Sequence, residues 1–584
     1  MKSFFKSVFA SLTALVLFFG LIFLIFAGIA GALMSTETVQ VEKNSVLVID
    51  LNDPLMERKT DDPFAELAGE TPSPDLYTTI KLIRHAAEDS LVKGIYLIAK
   101  DNLTGFAASQ DLREALLTFK KNGKFIYAFG DYISQKAYYV ASVADKIYCH
   151  PKGFFEWQGM SVEYVFFKGL LDRLEIKPQI FYAGKYKSAT EPFRESAMTA
   201  ANKEQTSEWL NGIYGQMISD IAIARKLDAD SMRILAETYA LNKPENAVKA
   251  GLIDGLKYDD ELRSELRKKL KIGQNEAINF IKLGKYGMAN NVSGAYSRNR
   301  IALVVAEGAI NYGKASPDEV GSDEYISILR KLRTDDAVKA VVLRINSPGG
   351  SSLASEIIWR EMELLRKAGK KVIVSMGDVA ASGGYYIACN ADKIIAQPNT
   401  ITGSIGVFSV VPDFSTFMKN KLGVTFDRVQ TAPYADLPSV TRPMNTAEQQ
   451  IIQQQVDQIY YDFKERVATG RKKSIEYIDS IAQGRVWTGS KALEIGLVDE
   501  LGGLNEAIKI SAKMAGLDEY KVKVYPEPKS FIEYILENYE GEFSSMALNK
   551  SLNKDEIKLF RQISELKNEQ GEIKARLPFE FTIK

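Results

Sequence analysis

A serine and a pair of lysines have surroundings that could support nucleophilic catalysis. Ser382 lies in Ala-Ala-Ser-Gly-Gly, between an apolar run and a helical pattern, and Gly383 would place a backbone N–H beside its hydroxyl. A serine needs a base to become a nucleophile. The segment 179–193 joins an apolar run to two lysines, Lys185 and Lys187. Burial could bring a lysine pKa from about 10.4 toward 7–8, where it accepts a proton. These residues predict acyl transfer, although each lysine taken alone fits an ordinary surface charge.

A diglycine turn, Asn346-Ser-Pro-Gly349-Gly350, follows a predicted strand and precedes a predicted helix. Glycines let a backbone approach a ligand closely, and the start of a helix offers unpaired N–H groups. Such donors can stabilise an oxyanion. If the sheet is parallel, this turn and the Ser382 loop emerge at the same edge. The alternatives are an ordinary tight turn here and a helix-capping role for Ser382.

Histidine is disfavoured as the base. The chain has two histidines, His85 and His150, and His150 precedes Pro151 after a strand-like run. The residue two positions before the serine is Ala380, so the segment also departs from the G-x-S-x-G elbow of α/β-hydrolases. A Ser–His triad is therefore not predicted.

The two halves of the chain carry an internal repeat. Residues 130–159 align without a gap on residues 377–406, a shift of 247 positions. Gln135 stands opposite Ser382, and Tyr434 stands opposite Lys187. Each half thus keeps a different part of the chemistry, which predicts one active site per chain, shared between two related domains.

The elements that must position these residues follow an α/β pattern. Val338–Ile345 and Lys371–Met376 are predicted strands, and Ala354–Lys367 between them is a predicted helix. Buried strands alternating with helices indicate parallel sheets. The predicted divisions are an N-terminal tip and anchor, a first repeat that supplies the lysine, a linker, a second repeat that supplies the serine, and a charged, helix-prone tail: residues 1–43, 44–289, 290–298, 299–530 and 531–584.

Composition bounds the class of protein. A chain of 584 residues is too long for one core. Lys+Arg and Asp+Glu both number 74, so no overall field favours nucleic acid. The two cysteines, Cys149 and Cys389, fall at non-equivalent repeat positions and are expected to be buried, unpaired thiols.

The N-terminus predicts a membrane anchor. Residues 7–36 contain no charged side chain, and about 20 apolar residues suffice to cross a bilayer. Lys2 and Lys6 precede this run and Glu37 follows it, which predicts a cytoplasmic N-terminus with the rest of the chain outside. A cleaved signal peptide is the alternative, but the run exceeds a usual signal core of about 7–15 residues.

The motifs as a group resemble the long, duplicated form of the signal peptide peptidase A (protease IV) family. The resemblance covers nearly the whole chain and rests on five strings: Asn346-Ser-Pro-Gly-Gly350, Gly377-Asp-Val-Ala-Ala-Ser-Gly-Gly384, Thr402-Gly-Ser-Ile-Gly406, Tyr186-Lys-Ser-Ala-Thr-Glu-Pro-Phe193 and Gly484-Arg-Val-Trp-Thr-Gly489. It implies two tandem crotonase-like (Clp-protease-like) domains and a serine endopeptidase with a Ser/Lys dyad.

The resemblance also implies roles for individual residues. Ser382 matches the nucleophile, Lys187 rather than Lys185 matches the base, and Ser404 matches a serine that orients the lysine. The oxyanion would be held by backbone N–H groups of Gly383 and of Gly349 or Gly350. No metal and no cofactor is implied.

The implied substrates are apolar peptides, chiefly signal peptides left in the membrane after their release. The implied setting is the bacterial inner membrane, with the catalytic body on the periplasmic side and a homotetramer as the assembly. Two other functions stay open. The crotonase-like fold also hosts acyl-CoA-processing enzymes, and a non-catalytic membrane scaffold could retain the same fold.

Overall fold

The computed structural model describes the following parts of the chain: residues 4, 6, 9–21, 24, 40–58, 73–290, 297–527 and 573–576. Residues 9–21 are helical, with apolar side chains exposed along their length. Within the described ranges, no helix combines the length and the apolar character needed to cross a membrane. The predicted span at residues 7–36 lies partly outside them, as do most of the linker and of the tail, so the anchor and the domain boundaries stay predictions.

The strands share extended, largely buried backbone, and in chain order they are β1 (Ser45–Asp50), β2 (Val92–Ile98), β3 (Phe125–Ile133), β4 (Lys146–Phe155), β5 (Lys177–Ala183), β6 (Gly255–Leu256), β7 (Phe280–Lys282), β8 (Arg300–Glu307), β9 (Ile310–Asn311), β10 (Val320–Gly321), β11 (Val338–Ser347), β12 (Gly349–Ser351), β13 (Lys371–Ala381), β14 (Lys393–Ala396), β15 (Ile401–Gly403), β16 (Val407–Asp413), β17 (Val486–Thr488), β18 (Glu500–Leu501), β19 (Lys521–Tyr525) and β20 (Lys574–Arg576).

The helices of the two repeats are, in chain order, α1 (Leu76–Glu88), α2 (Phe106–Lys121), α3 (Gln135–Ala141), α4 (Lys168–Leu174), α5 (Glu191–Arg194), α6 (Ala200–Arg225), α7 (Ala229–Glu237), α8 (Pro244–Lys249), α9 (Asp259–Leu270), α10 (Leu283–Ala289), α11 (Ser322–Thr334), α12 (Ser352–Lys367), α13 (Gly383–Ala388), α14 (Ser415–Leu422), α15 (Thr446–Arg471), α16 (Ile475–Ile481), α17 (Gly489–Glu494) and α18 (Leu504–Met514). A single 3₁₀ turn, Ser188–Thr190, precedes α5.

Each repeat is built on its own, mainly parallel sheet. In the first repeat the strand order is β6-β4-β3-β2-β1-β7, with all neighbours parallel. In the second repeat the order is β17-β15-β13-β11-β8-β19, in which β17 alone pairs antiparallel. Strand β11 is an almost continuous buried run because helices cover both faces of its sheet. The predicted α/β fold with tandem related domains is therefore confirmed.

A third sheet combines strands from both repeats and from the tail. Its order is β10-β9-β12-β20-β16-β5. Strand β5 of the first repeat pairs antiparallel with β16 of the second along seven consecutive residue pairs, from Ala183 opposite Val407 to Lys177 opposite Asp413. Phe181 of β5 belongs to the hydrophobic core of the second repeat. This sheet fixes the chain that precedes Lys187 onto the domain that contains Ser382.

Candidate active site

Ser382 lies at the turn from β13 into α13. Its backbone has φ 55° and ψ −115°, a conformation that non-glycine residues rarely adopt. The Ser382 N–H donates to the carbonyl of Gly403 at 2.8 Å, which helps to hold this conformation. The hydroxyl makes no helix-capping hydrogen bond, so the capping alternative does not describe this serine. The turn instead directs the buried Oγ toward the neighbouring repeat.

The amine of Lys187 meets this hydroxyl within one chain. Lys187 Nζ lies 2.8 Å from Ser382 Oγ, and it donates to Ser404 Oγ at 3.0 Å and to the Ser404 carbonyl at 3.2 Å. The lysine side chain is 1% exposed and Ser382 is fully buried. Lys185, two residues earlier, is exposed. The sheet formed by β5 and β16 thus brings together the two residues that the repeat separates by 195 positions.

Burial lowers the pKa of the Lys187 ammonium well below its usual range. The three oxygens within hydrogen-bond reach of Nζ belong to hydroxyl and carbonyl groups, which carry no formal charge. A positive charge here would lose its hydration without gaining a carboxylate partner from these contacts. The lysine is therefore suited to accept a proton from a hydroxyl at 2.8 Å.

Ser404 and Gly484 shape the pocket around the lysine. Ser404 adopts φ 51°, and its N–H donates to the Arg485 carbonyl at 2.7 Å. Gly484 adopts φ 74°, and a Cβ at this position would lie 2.7 Å from the Lys187 backbone nitrogen. Only a residue without a side chain permits this approach. Gly484, the first residue of the motif Gly484-Arg-Val-Trp-Thr-Gly489, therefore allows the backbone to pack directly against Lys187.

The diglycine turn lies against the serine. Gly349 opens β12 with φ 95°, and a Cβ there would lie 2.6 Å from the Gly383 backbone nitrogen. The Gly349 N–H also lies 3.2 Å from Ser347 Oγ. The register between β11 and β13 shifts just before this turn, so that Ile345 faces Met376 while Ser347 faces Ala380. The backbones of Gly349 and Gly383 therefore border one notch, defined here as the glycine notch.

The equivalent position in the first repeat is filled. The Gln135 side chain donates to the Gly159 carbonyl at 3.1 Å and accepts the Gly159 N–H at 3.1 Å. Tyr434, which stands opposite Lys187 in the alignment, is 48% exposed. The first repeat thus holds an amide in place of the Ser382 hydroxyl. At the position equivalent to the buried Lys187, the second repeat has an exposed tyrosine.

The remaining titratable residues singled out from the sequence lie elsewhere. His85 Nδ1 contacts the Tyr286 hydroxyl at 2.8 Å, and His150 Nδ1 accepts the Lys152 N–H at 3.0 Å. Cys149 and Cys389 are both buried and free, as predicted.

A buried ionic cluster that was not predicted from the sequence lies between the repeats. Arg344 of β11 is fully buried and donates to both oxygens of Glu57, the shorter contact being 2.7 Å, and to Asp111 at 3.1 Å. Glu57 and Asp111 belong to the first repeat. Burial raises the pKa of each carboxyl, while the guanidinium opposes that rise. A lone arginine inside the apolar run VKAVVLRI was the available signal, since such a charge requires buried partners.

Asp378 adds a second contact between the repeats close to the serine loop. Its Oδ1 accepts the N–H of Ala107 at 2.8 Å and that of Ala108 at 3.2 Å, at the start of α2. A carboxylate at a helix N-terminus is stabilised by the unpaired N–H groups and by the helix dipole. The loop that ends in Ser382 is thereby attached to the first repeat at both Asp378 and Lys187.

Comparison with known proteins gives the family. The model of peptidase family S49 matches residues 118–273 and 364–518, one segment in each repeat, and the Clp protease model matches residues 293–402. Protease 4 of Haemophilus influenzae is 37% identical over 514 residues, which is 84% of this chain and 83% of that protein. The chloroplastic serine protease SPPA of Arabidopsis thaliana is 32% identical over 442 residues, 74% of this chain and 64% of that protein.

A shorter relative matches a smaller part of the chain. The putative signal peptide peptidase SppA of Enterococcus faecium is 34% identical over 210 residues, 36% of this chain and 61% of that protein. The expected Clp-protease-like fold and the expected serine peptidase activity agree with these matches. The chain belongs to peptidase family S49, as a duplicated member with a family match in each repeat.

Proposed function

We propose that this chain is a membrane-anchored serine endopeptidase in which Ser382 is the nucleophile and Lys187 is the general base. The observation that carries the proposal is the 2.8 Å contact between Lys187 Nζ and Ser382 Oγ in a fully buried setting. Ser404 acts as a positioning residue, because its Oγ and carbonyl both accept from the amine.

The reaction follows from these contacts. Neutral Lys187 takes the Ser382 proton as Oγ attacks a peptide carbonyl. The N–H of Gly383, with one from Gly349 or Gly350, stabilises the oxyanion at the glycine notch. The Lys187 ammonium then protonates the leaving amine. Water hydrolyses the acyl-enzyme with the same lysine as base.

The proposed substrates are apolar peptides, chiefly signal peptides that remain in the membrane. The name of the Enterococcus faecium relative, a putative signal peptide peptidase, supports this class. The uncharged residues 7–36 and the exposed apolar side chains of helical residues 9–21 support an anchor in the inner membrane. With Lys2 and Lys6 on the cytoplasmic side, the catalytic body would lie in the periplasm. This setting would place the enzyme beside its substrates.

The proposed assembly is a homotetramer. Helices α4 and α14 begin at Lys168 and Ser415, which are equivalent positions of the two repeats. Neither helix buries a residue, and Leu170 and Leu422 are exposed on them. An exposed apolar surface that recurs in both repeats supports a ring in which successive repeats contact one another. Sedimentation of the detergent-solubilised chain tests this assembly.

The two alternatives make distinguishable demands on the site. Acyl-CoA enzymes of this fold need an oxyanion site but have no need of a Ser/Lys pair. A scaffold needs neither an oxyanion site nor a Ser/Lys pair. In a scaffold, the strained φ of Ser382 and the burial of the Lys187 amine would each cost stability and serve no function. Both features favour the peptidase.

The test uses the purified full chain with a leucine-rich peptide ester and an acyl-CoA thioester as parallel substrates. We expect cleavage of the peptide ester by the wild type and its loss in Ser382→Ala, with the far-UV spectrum and sedimentation unchanged. Full cleavage by Ser382→Ala would exclude this serine as the nucleophile. Turnover of the thioester alone would favour the acyl-CoA alternative.

A further inference from the structure

A buried glutamine connects the two repeats beside the proposed base. Gln205 lies on α6 and is 3% exposed. Its Nε2 donates to the Tyr186 carbonyl at 3.0 Å and to Ser188 Oγ at 3.1 Å, so it contacts the residues on both sides of Lys187. Its Oε1 accepts the N–H of Val486, in β17 of the second repeat, at 3.3 Å. One side chain thus joins the lysine segment to the second repeat.

The neighbouring backbone determines which way the amide of Gln205 faces. A carbonyl can only accept and an N–H can only donate, so Nε2 has to face Tyr186 and Oε1 has to face Val486. The side chain of Asn202 agrees with this orientation, because its Oδ1 accepts from Nε2 at 3.2 Å. If the amide were turned over, two oxygens would face each other at Tyr186 and two nitrogens at Val486. The donating and accepting ends of Gln205 are therefore assigned.

The donating end of Gln205 holds the turn from which the Lys187 side chain projects. Lys187 has φ −73° and ψ 76°, and the Ser188 N–H donates to the Tyr186 carbonyl at 2.8 Å. These values describe an inverse γ-turn with the lysine at its centre. The Tyr186 carbonyl accepts from both this N–H and Gln205. Because a change in the turn would redirect the lysine side chain, Gln205 helps to determine where the amine points.

The accepting end of Gln205 lies beside the backbone that supports Ser404. Strand β17 pairs antiparallel with β15, with Val486 opposite Gly403. The carbonyl of Arg485, the residue before Val486, accepts the Ser404 N–H at 2.7 Å. Gln205 is therefore attached to the pair of strands that positions Ser404.

The same strands hold the proposed nucleophile. The Gly403 carbonyl accepts the Ser382 N–H at 2.8 Å. Hydrogen bonds thus run from Ser382 through β15, β17 and Gln205 to the lysine turn. The 2.8 Å contact between Lys187 Nζ and Ser382 Oγ closes this series into a ring. In that ring, Gln205 carries the connection from the second repeat back to the first.

The second repeat, which lacks the lysine, has a different residue in place of the glutamine. Helices α6 and α15 each contain 26 residues. Aligning them at their N-caps, Thr199 and Asn445, places Ile451 opposite Gln205. An isoleucine side chain can neither donate nor accept a hydrogen bond. The glutamine and the lysine therefore occur in the same repeat.

We infer that Gln205 is a positioning residue for the Ser382–Lys187 dyad, an inference that rests on the proposed function. By fixing the inverse γ-turn to β17, Gln205 keeps the Lys187 amine inside its dry pocket and within reach of the Ser382 hydroxyl. It acts through the lysine turn and not through contact with the reacting atoms. Its loss should therefore slow the reaction and change the titration of the base.

Gln205→Met tests this role, because methionine has a similar length but makes no amide hydrogen bond. With the leucine-rich peptide ester as substrate, we expect kcat to fall about 10- to 100-fold, since a displacement of about 1 Å at a reacting group can cost about 10²-fold. KM should be unchanged. The acidic limb of the kcat–pH profile should move to higher pH, because an amine released from the dry pocket holds its proton more tightly.

Two further variants complete the experiment. Gln205→Asn keeps an amide but is one methylene shorter, so it cannot reach both Tyr186 and Val486; its kcat should lie between those of the wild type and Gln205→Met. Gln216→Met is the matched control, because Gln216 lies on the same helix and donates to Asp220 at 3.0 Å. This control should keep the wild-type kcat and pH profile. Far-UV spectra and sedimentation identify the variants that fold.

The outcomes separate this inference from the proposed function. A folded Gln205→Met or Gln205→Asn with the wild-type kcat would overturn the positioning role while the peptidase assignment stands. A fall in kcat with an unmoved acidic limb, or an equal fall in Gln216→Met, would also overturn it, because the loss would then come from α6 as a whole. A wild type that does not cleave the peptide ester would overturn the proposed function itself.

Discussion

Replacing Lys187 by methionine should abolish activity and stabilise the fold at the same time. Lys187 is 1% exposed, and within the part of the chain that the structure describes its amine contacts hydroxyl and carbonyl oxygens. Methionine fills a similar volume without an amine to desolvate. Because the proposed reaction has no other base, we expect kcat/KM to fall by at least about 10⁴-fold.

The gain in stability has a defined dependence on pH. Burial lowers the pKa of Lys187 in the folded chain, while an unfolded lysine keeps its proton up to about pH 10.4. Between these two values the unfolded chain binds one more proton than the folded chain. Wild-type stability therefore rises with pH in this window, by about 1.4 kcal/mol per pH unit from this group. The Met variant lacks this contribution, so its advantage over the wild type shrinks as the pH increases.

Urea unfolding of both proteins at a series of pH values measures this difference. Lys185→Met is the matched control, because Lys185 lies in the same segment and is exposed. It should retain activity, and its unfolding free energy should parallel that of the wild type across the series. If the unfolding free energies of Lys187→Met and of the wild type change with pH in parallel, the lowered pKa of Lys187 is refuted. Loss of activity in Lys185→Met alone would refute the choice between the two lysines.

Two further substitutions test the surroundings of the proposed dyad. Ser404→Ala removes one acceptor from the amine; because a hydrogen bond to a charged group contributes about 1.5–3 kcal/mol, kcat should fall by about 10- to 100-fold with KM unchanged. The acidic limb of the pH–rate profile should also move to lower pH, since the ammonium form loses more than the neutral form, and an unmoved limb would argue for a purely structural serine. Arg344→Met leaves the carboxyls of Glu57 and Asp111 buried without their cation and should cost about 3–5 kcal/mol of unfolding free energy. Adding Glu57→Gln and Asp111→Asn should recover most of that loss in urea unfolding, and a triple variant no more stable than the single one would contradict a charge-based cost.

The strands and helices near the site could be predicted from local pattern. Val338–Ile345 and Ala354–Lys367 fall within an observed strand, Val338–Ser347, and an observed helix, Ser352–Lys367. Their hydrophobic periods are short-range signals that a single segment contains. The repeat alignment also identified Gln135 as the residue that stands in the place of Ser382.

The contacts that assemble the site are long-range and were not predictable in this way. The pairing of β5 with β16 joins segments more than 200 residues apart, and no local pattern encodes that register. The choice of Lys187 over Lys185 came from a family motif. In the structure the two lysines differ in burial, because Lys187 is buried and Lys185 is exposed. The tail was expected to be helix-prone, yet its described residues form the strand Lys574–Arg576. Most of that expected helix lies outside the described residues. A three-residue strand depends on its partners β12 and β16 rather than on its own propensity.

Under the proposed mechanism, the pairing of β5 with β16 also determines when the Ser382–Lys187 dyad can first act. A chain is synthesised from its N-terminus, so the segment with Lys187 exists well before Ser382 and before Val407–Asp413. Until β16 is available, β5 lacks the partner that holds Lys187 in its dry pocket, and the amine keeps its proton. A nascent or truncated chain that carries only the first repeat would thus have no proteolytic activity. Dividing the proposed dyad between the repeats would delay proteolysis until both halves have been synthesised and have docked.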